Sequence, residues 1–294
     1  MLISKNASKT LSEAISSQEK TYCSGLFLSA RWFVVSQVAE SGTHVIIMPD
    51  KESAEYCSAD LYSLVEGDRV FFLPDSGKNV ERSNYKSSLG VQRTSAVGSI
   101  LANAANASLL YVVTYPEALE EPIPGKAKIA GAALVLKKDE EMGRDHIVST
   151  LLSQNFARVD FVSAPGQFAV RGAVIDIFSY SNNDPFRISF FGDEIEKINV
   201  FDCNTQLSKE ERESVEIFPD IIASDTESED DMSILEILPE NTVVWLDSSD
   251  MYKGKNFFSS LEKFHRVFLE IPLSEQGVEP IKFSITPQPV FNKN

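Results

Sequence analysis

The sequence predicts an α/β fold, built on a parallel sheet, with a second α+β domain inserted into it. Three observations carry this. Short continuous apolar runs, THVIIMP, RVFFLPD and SLLYVVTYP, alternate with helix-like segments. Beyond Pro116, Pro122 and Pro124 the style changes to a succession of strands joined by turn residues. From NTVVWLDSSD onward the buried-strand style returns. Runs that are apolar throughout, rather than alternating, fit strands covered on both faces, as in parallel sheets between helices. The expected divisions are 1–119 and 222–294 for the two parts of the α/β domain and 120–221 for the inserted one.

The elements follow in order. Residues 8–18 can form a polar helix, with Leu11 and Ile15 on one face. SGLFLSARWFVVSQVAESG opens on a glycine and reads as a helix, and THVIIMP follows as a strand. KESAEYCSADLYSLV is helical, with Ala54, Cys57, Leu61 and Leu64 on one side. RVFFLPD is a strand, SSLGVQRTSAVGSILANAA a helix and SLLYVVTYPEAL a third strand. The proline-rich stretch to residue 124 reads as a linker. KIAGAALVLKKDEEM is expected as a strand and RDHIVSTLLSQN as a helix. FARVDFV, QFAVRGAVIDIFSY and FRISFFGDEIEKINVFD then form an antiparallel meander, turning at Pro165-Gly166 and at Asn183-Asp184-Pro185. SDTESEDD at 224–231 reads as a solvated loop. FSSLEKFHRVFLEI adds a helix and a strand.

The totals bound the function. With 27 basic against 43 acidic side chains the net charge is −16. That disfavours sequence-independent binding to a phosphate backbone, which needs clustered cations. It leaves room for a small basic spot or a basic partner. Cys23, Cys57 and Cys203 form no CxxC pair, so free thiols are expected. His44, His146 and His265 lack metal-ligand spacing. The N-terminal MLISKNASKTLSEAISSQ has no apolar core of the kind a secretory signal needs, and no apolar run approaches the ~20 residues of a membrane span.

Enzyme signatures are missing where they would be expected. A phosphate-binding loop needs glycines and a lysine before a helix. The corresponding stretch, Ser24-Gly25-Leu26-Phe27-Leu28-Ser29-Ala30-Arg31, has one glycine and apolar bulk, with Arg31 as the only cation. Val243-Val244-Trp245-Leu246-Asp247 could be a magnesium-side strand, but Ser248 stands where a water-orienting acid would be. Asp193 and Glu194 read as turn residues rather than an acid–base pair. GxSxG and GxGxxG are both missing.

The run RVDFVSAPGQFAVRGAVIDIFSY, followed by FRISFFGDEIEKINVFD and TQ, resembles the stretch shared by excision-repair protein B and the bacterial transcription-repair coupling factor. The resemblance is strongest over 156–206 and covers nearly the whole chain. The lost phosphate loop, the Asp247-Ser248 pair and the lack of a tyrosine-rich hairpin after Pro74 favour the coupling factor, as does the ending PQPVFNKN. The resemblance implies a degenerate P-loop (RecA/helicase-like) domain carrying an inserted docking domain, at the N-terminus of a longer protein. ATP and Mg would then belong to motor domains outside this chain, and no cofactor or catalytic residue is expected within it. RNA polymerase and DNA would be met only through those other domains.

On the same resemblance, the inserted domain docks excision-repair protein A in the cytoplasm, with no membrane partner. It would also fold back on C-terminal domains of the full-length protein as an autoinhibitory contact. The alternative is an ATP-dependent, DNA-binding excinuclease component like excision-repair protein B. The matching docking residues are Arg158, Arg171 and Phe178. Where excision-repair protein B has an extra arginine this chain has Ala169. Arginine suits such a surface because its planar fork grips carboxylates and keeps its charge. Each arginine could equally form a surface ion pair with Asp160 or Asp176, worth under ~1 kcal/mol. Strand parity puts Ala169 with Arg171 and Phe168 with Val170. A bulge at Gly172 would be needed to bring Phe178 onto the face of Arg171.

Overall fold

The computed structural model describes residues 2–3, 5–17, 20–65, 69–77, 83–182, 184–220, 230–247, 249–271 and 277–286. Asn183, Ser248, most of the acidic run at 224–231 and the closing PQPVFNKN lie outside them. The chain divides into two compact units. The first comprises Met1–Pro74, Ile100–Glu121 and Ser233–Asn294, and the second Asp75–Ser99 and Pro122–Met232.

The first unit is built on a seven-stranded parallel sheet. Its strand order is Ile281–Lys282, Lys20–Ser24, His265–Phe268, Val243–Leu246, Thr43–Ile47, Leu110–Thr114 and Val70–Phe72. The runs Thr43–Ile47, Leu110–Thr114 and Val243–Leu246 are buried at every residue. That is what a central strand covered on both faces requires. The helix Lys51–Leu64 starts where Asp50 accepts a hydrogen bond from the Ser53 amide at 2.8 Å. This cap satisfies one of the orphan amides of the first turn. Ala54, Cys57 and Leu61 pack inward with Trp32, Ile46, Tyr111 and Trp245, whereas Leu64, expected on the same side, is 41% exposed. Trp245 donates its indole N–H to His44 Nδ1 at 3.1 Å, so the largest buried ring keeps its polar atom satisfied.

The second unit is built on a six-stranded sheet in the order Ser208–Arg212, Glu194–Phe201, Phe186–Phe191, Val174–Phe178, Gln167–Arg171 and Ala157–Arg158. Every pair is antiparallel except the last, which is parallel. One face carries Phe168, Ile175, Ile177, Ile188, Ile195 and Ile198, and packs on Ile147 and Leu151 of the helix Arg144–Ser153. The strand Leu134–Lys137 pairs with Ser214–Ile217 and adds Leu136 and Val215 to that core. The opposite face has only a small cluster of Val162, Ala169, Phe178 and Phe201, with Val159 against it.

Three expectations are corrected. The stretch expected as one strand from 128 begins as a helix, Lys126–Ala132, before Leu134–Lys137. Alanines and a glycine give no period, and apolarity alone does not separate a short helix from a strand. The stretch expected as a linker contains the helix Pro116–Glu120, with Pro116 at a first-turn position where its missing N–H leaves no bond unmade. The helix expected after Phe258 is a single 3-10 segment, Ser259–Lys263.

Candidate partner-docking site

The strands Gln167–Arg171 and Val174–Phe178 form a hairpin whose turn is Gly172-Ala173. Gly172, at φ +59°, occupies the position where a type II′ turn places its glycine. The register runs without a shift from Arg171 opposite Val174 to Gln167 opposite Phe178. Directly opposed residues share a face and alternate residues along a strand do too. Arg171, Asp176 and Phe178 therefore lie on one face, together with Gln167 and Ala169. The two-residue turn achieves this without the bulge at Gly172 that the sequence reading requires.

Asp176 is 1% exposed and sits at the centre of this face. Arg187 lies directly opposite on the next strand. It donates Nε to Asp176 Oδ1 at 2.7 Å and Nη2 to Oδ2 at 2.9 Å. Arg171 reaches the same Oδ2 through Nη2 from the diagonal position. A buried carboxylate requires such partners to remain charged. One carboxylate cannot neutralise two guanidiniums, so the group keeps a net positive charge. Arg187 is held further by Gln206 Oε1 at 2.8 Å and by the Phe201 ring, 4.2 Å from its guanidinium carbon. The hydrogen bonds to Asp176 raise its already high pKa. Among the described residues, the Arg171 side chain makes no other hydrogen bond, and 35% of it is exposed.

Arg158 and Arg171 open onto one groove of about 760 Å³, lined also by Val159, Asp160, Phe161 and Val170. The groove exists because Ala157–Arg158 pairs with only the first residues of Gln167–Arg171, leaving the edge beside Val170 and Arg171 uncovered. Arg158 is exposed and forms no ion pair among the described residues. The ion-pair alternative weighed for each arginine is thus present for Arg171 and Asp176, and not for Arg158 with Asp160. Phe161 is 63% exposed, its ring centre 4.9 Å from the Arg171 guanidinium carbon. Sequence reasoning does not single out Phe161 or Arg187, and it names Asp176 only as a surface ion-pair partner rather than as the buried centre of the face. Strand alternation would put Phe161 on the side of Val159, so the sequence pattern does not foretell its exposure; Val159 and Val162 both turn inward around it.

Phe178 is 5% exposed. Its ring packs with Val162, Ala169 and Phe201 beneath the face and offers no surface to a partner. The structure brings it to the same face as Arg171 but as support. Ala169, 1% exposed, lies in the same cluster, so the loop carrying Val162 covers the spot where an arginine side chain would emerge.

A second cationic feature lies in the first unit, at the C-terminal ends of the parallel strands. Arg31 donates Nη1 to Asp247 Oδ1 at 2.6 Å and Nη2 to Glu270, with Nε 3.4 Å from the Leu26 carbonyl. It links the loop after Lys20–Ser24 to the ends of Val243–Leu246 and His265–Phe268. Burial pushes the Asp247 carboxyl up, Arg31 pulls it back and Glu270 adds to the rise. Phe27 and Leu28 in the same loop are 68% and 86% exposed. Among the described residues no group of three or more His, Cys, Asp or Glu could hold a metal ion, and no helix is long and apolar enough to cross a membrane.

Residues 134–221 match the family described as the UvrB interaction domain. These residues lie within the second unit and include all those that line the groove. The chain is also similar to two kinds of repair protein. It is 39% identical over 89 residues to the transcription-repair-coupling factor of Escherichia coli, covering 30% of this chain and 8% of that protein. With the transcription-repair-coupling factor of Bacillus subtilis it shares 28% over 198 residues, covering 66% of this chain and 16% of the relative. With the UvrABC system protein B of Chlorobium phaeobacteroides it shares 35% over 127 residues, covering 43% of this chain and 18% of the relative. The resemblance visible in the sequence is thus shown, and the chain matches a module common to both kinds of protein while spanning less than a fifth of each relative's length.

Proposed function

We propose that this chain is a non-catalytic module of transcription-coupled nucleotide-excision repair that recruits excision-repair protein A through the Arg158–Arg171 groove. The observation that supports it most directly is that both arginines open onto one groove while the single nearby buried carboxylate, Asp176, is shared with Arg187. A cation held on a sheet loses little entropy on docking, and its fork matches a carboxylate. The likeness to the UvrB interaction domain falls on the same residues. In a full-length relative the same face would be masked by C-terminal domains, making the module autoinhibitory as well. RNA polymerase and DNA would be engaged by domains outside this chain, in the cytoplasm.

Binding of the purified chain to purified excision-repair protein A, measured by calorimetry, tests this. Arg158→Ala and Arg171→Ala should each weaken binding by roughly 1–3 kcal/mol, as interface hot spots do. Wild-type affinity in both variants refutes the reading.

The similarity to UvrABC system protein B keeps a second reading in view, an ATP-dependent DNA-binding excinuclease component. The Arg31 network speaks against it. The one cation of the loop is engaged by Asp247 and Glu270, the acids at the strand ends where a nucleotide and its metal would sit. No cofactor is therefore proposed for this chain. A nucleotide titration that saturates at micromolar ATP analogue would favour the second reading instead.

A further inference from the structure

Phe161 is a large apolar ring left 63% in water beside a cation, on a loop that is firmly held. Gln167 Oε1 accepts hydrogen bonds from the Ser163 amide at 2.9 Å, the Ser163 hydroxyl at 3.2 Å and the Ala164 amide at 3.2 Å. The Val159 amide donates to the Phe168 carbonyl at 2.9 Å. Val162, the next residue along, is anchored in the small cluster beneath. The ring thus lies against the Arg171 guanidinium, which Asp176 holds through Nη2. A guanidinium lying against a ring is partly stripped of water on that face, and among the described residues the other donors of Arg171, which lines the groove, make no hydrogen bond.

We propose that Phe161 is itself a docking residue, and that the groove takes an acidic segment in which a carboxylate sits next to an apolar side chain. The carboxylate pairs with Arg171 and Arg158, and the apolar neighbour covers the Phe161 ring. Charge complementarity selects this occupant, since the groove is an exposed cationic spot on a chain of net charge −16. Aromatic and arginine side chains are both enriched at binding surfaces. This inference rests on the reading that the groove docks excision-repair protein A, and it names what that protein must present there.

The test is calorimetry of the 294-residue chain against purified excision-repair protein A. Phe161→Ala is expected to weaken binding about tenfold and Phe161→Tyr by less than about twofold. The double variant F161A/R171A should lose less than the product of the two single losses, because the ring and the cation act together. Thermal melts of the single variants check that the fold is kept, which the exposure of Phe161 leads one to expect. If R171A weakens binding and F161A does not, the inference falls while the docking reading stands. If the double variant loses the full product, the coupling of ring and cation is refuted. If neither R158A nor R171A changes affinity, the docking reading fails and takes the inference with it.

Discussion

Arg187 faces Asp176 directly across two antiparallel strands, Nε to Oδ1 2.7 Å and Nη2 to Oδ2 2.9 Å. Arg171 shares the same carboxylate from the diagonal position. Removing a buried partner leaves the other charges uncompensated, and here it would leave two guanidiniums side by side. Asp176→Ala should lower stability by about 2–3 kcal/mol, at or below the bottom of the ~3–5 kcal/mol range for fully buried pairs because both arginines are partly solvated. Urea unfolding of the wild type and the variant checks this. An unchanged midpoint would mean that the strands hold the arginines without the acid.

The Arg31–Asp247 contact carries a pH signature. Burial raises the folded-state pKa of Asp247 above its ordinary value, so the proton is bound more tightly in the folded chain and ionisation at neutral pH opposes folding. Arg31 relieves that opposition. Arg31→Ala should therefore destabilise the chain by about 1–3 kcal/mol at pH 7. The deficit should shrink as pH falls through the folded pKa and the carboxyl takes up its proton. Denaturant midpoints at several pH values decide the matter. A deficit independent of pH would point to lost packing by the arginine stem.

His44 gives the opposite slope. Burial lowers its pKa from 6.5 to about 4, against the smaller upward pull of the Ser41 carbonyl. Its Nδ1 accepts from Trp245, so the neutral ring is the form that the fold uses. The stabilisation is complete above about pH 6.5, the unfolded value, and is lost as pH falls towards 4. Ring proton signals followed by NMR should show no titration of His44 above about pH 5, in contrast to an exposed histidine. A midpoint near 6.5 would show that the ring is open to water.

Gly166 is needed for two separate reasons. Its φ is +79°, and a Cβ there would overlap both the Tyr180 hydroxyl and the ring carbons next to it. Gly166→Ala is expected to lose about 1–3 kcal/mol of stability, beyond what strain at positive φ alone would give. Combining it with Tyr180→Ala, which removes the whole ring, should recover part of the loss relative to the sum of the two single variants. No recovery would place the whole effect in the backbone.

Thiol titration separates the three cysteines. Cys23 and Cys57 are buried and their thiols are pushed up, Cys23 to about 12, so neither offers thiolate at pH 8. Only Cys203, half-buried in the turn after Phe201, should react quickly with a disulfide reagent in the native chain. Three equally fast thiols would contradict the packing of the first unit.

The sequence foretells elements best where composition forces the answer. Thr43–Ile47 and Leu110–Thr114 read as buried strands because an apolar run of that length has no wet face to offer. Lys126–Ala132 escapes such reading because alanine and glycine leave no periodic trace. Within the site, Arg158 and Arg171 are legible as residues but their surroundings are not. Asp176 and Arg187 meet only through strand register, and Arg31 finds acids 216 and 239 positions away. Phe178 shares the face of Arg171 through the turn length rather than a bulge, and its burial cannot be read from parity.

The turn at Gly172-Ala173 fixes which way the arginine looks by arithmetic alone. Two residues between the strands put Arg171 outward with Asp176. A single inserted residue that no bulge absorbed would slip one arm of the hairpin by half a period and exchange its wet side chains for its dry ones. A lineage carrying this module is therefore free to vary what stands in the bend, within the demands of positive φ, far more readily than how many residues stand there.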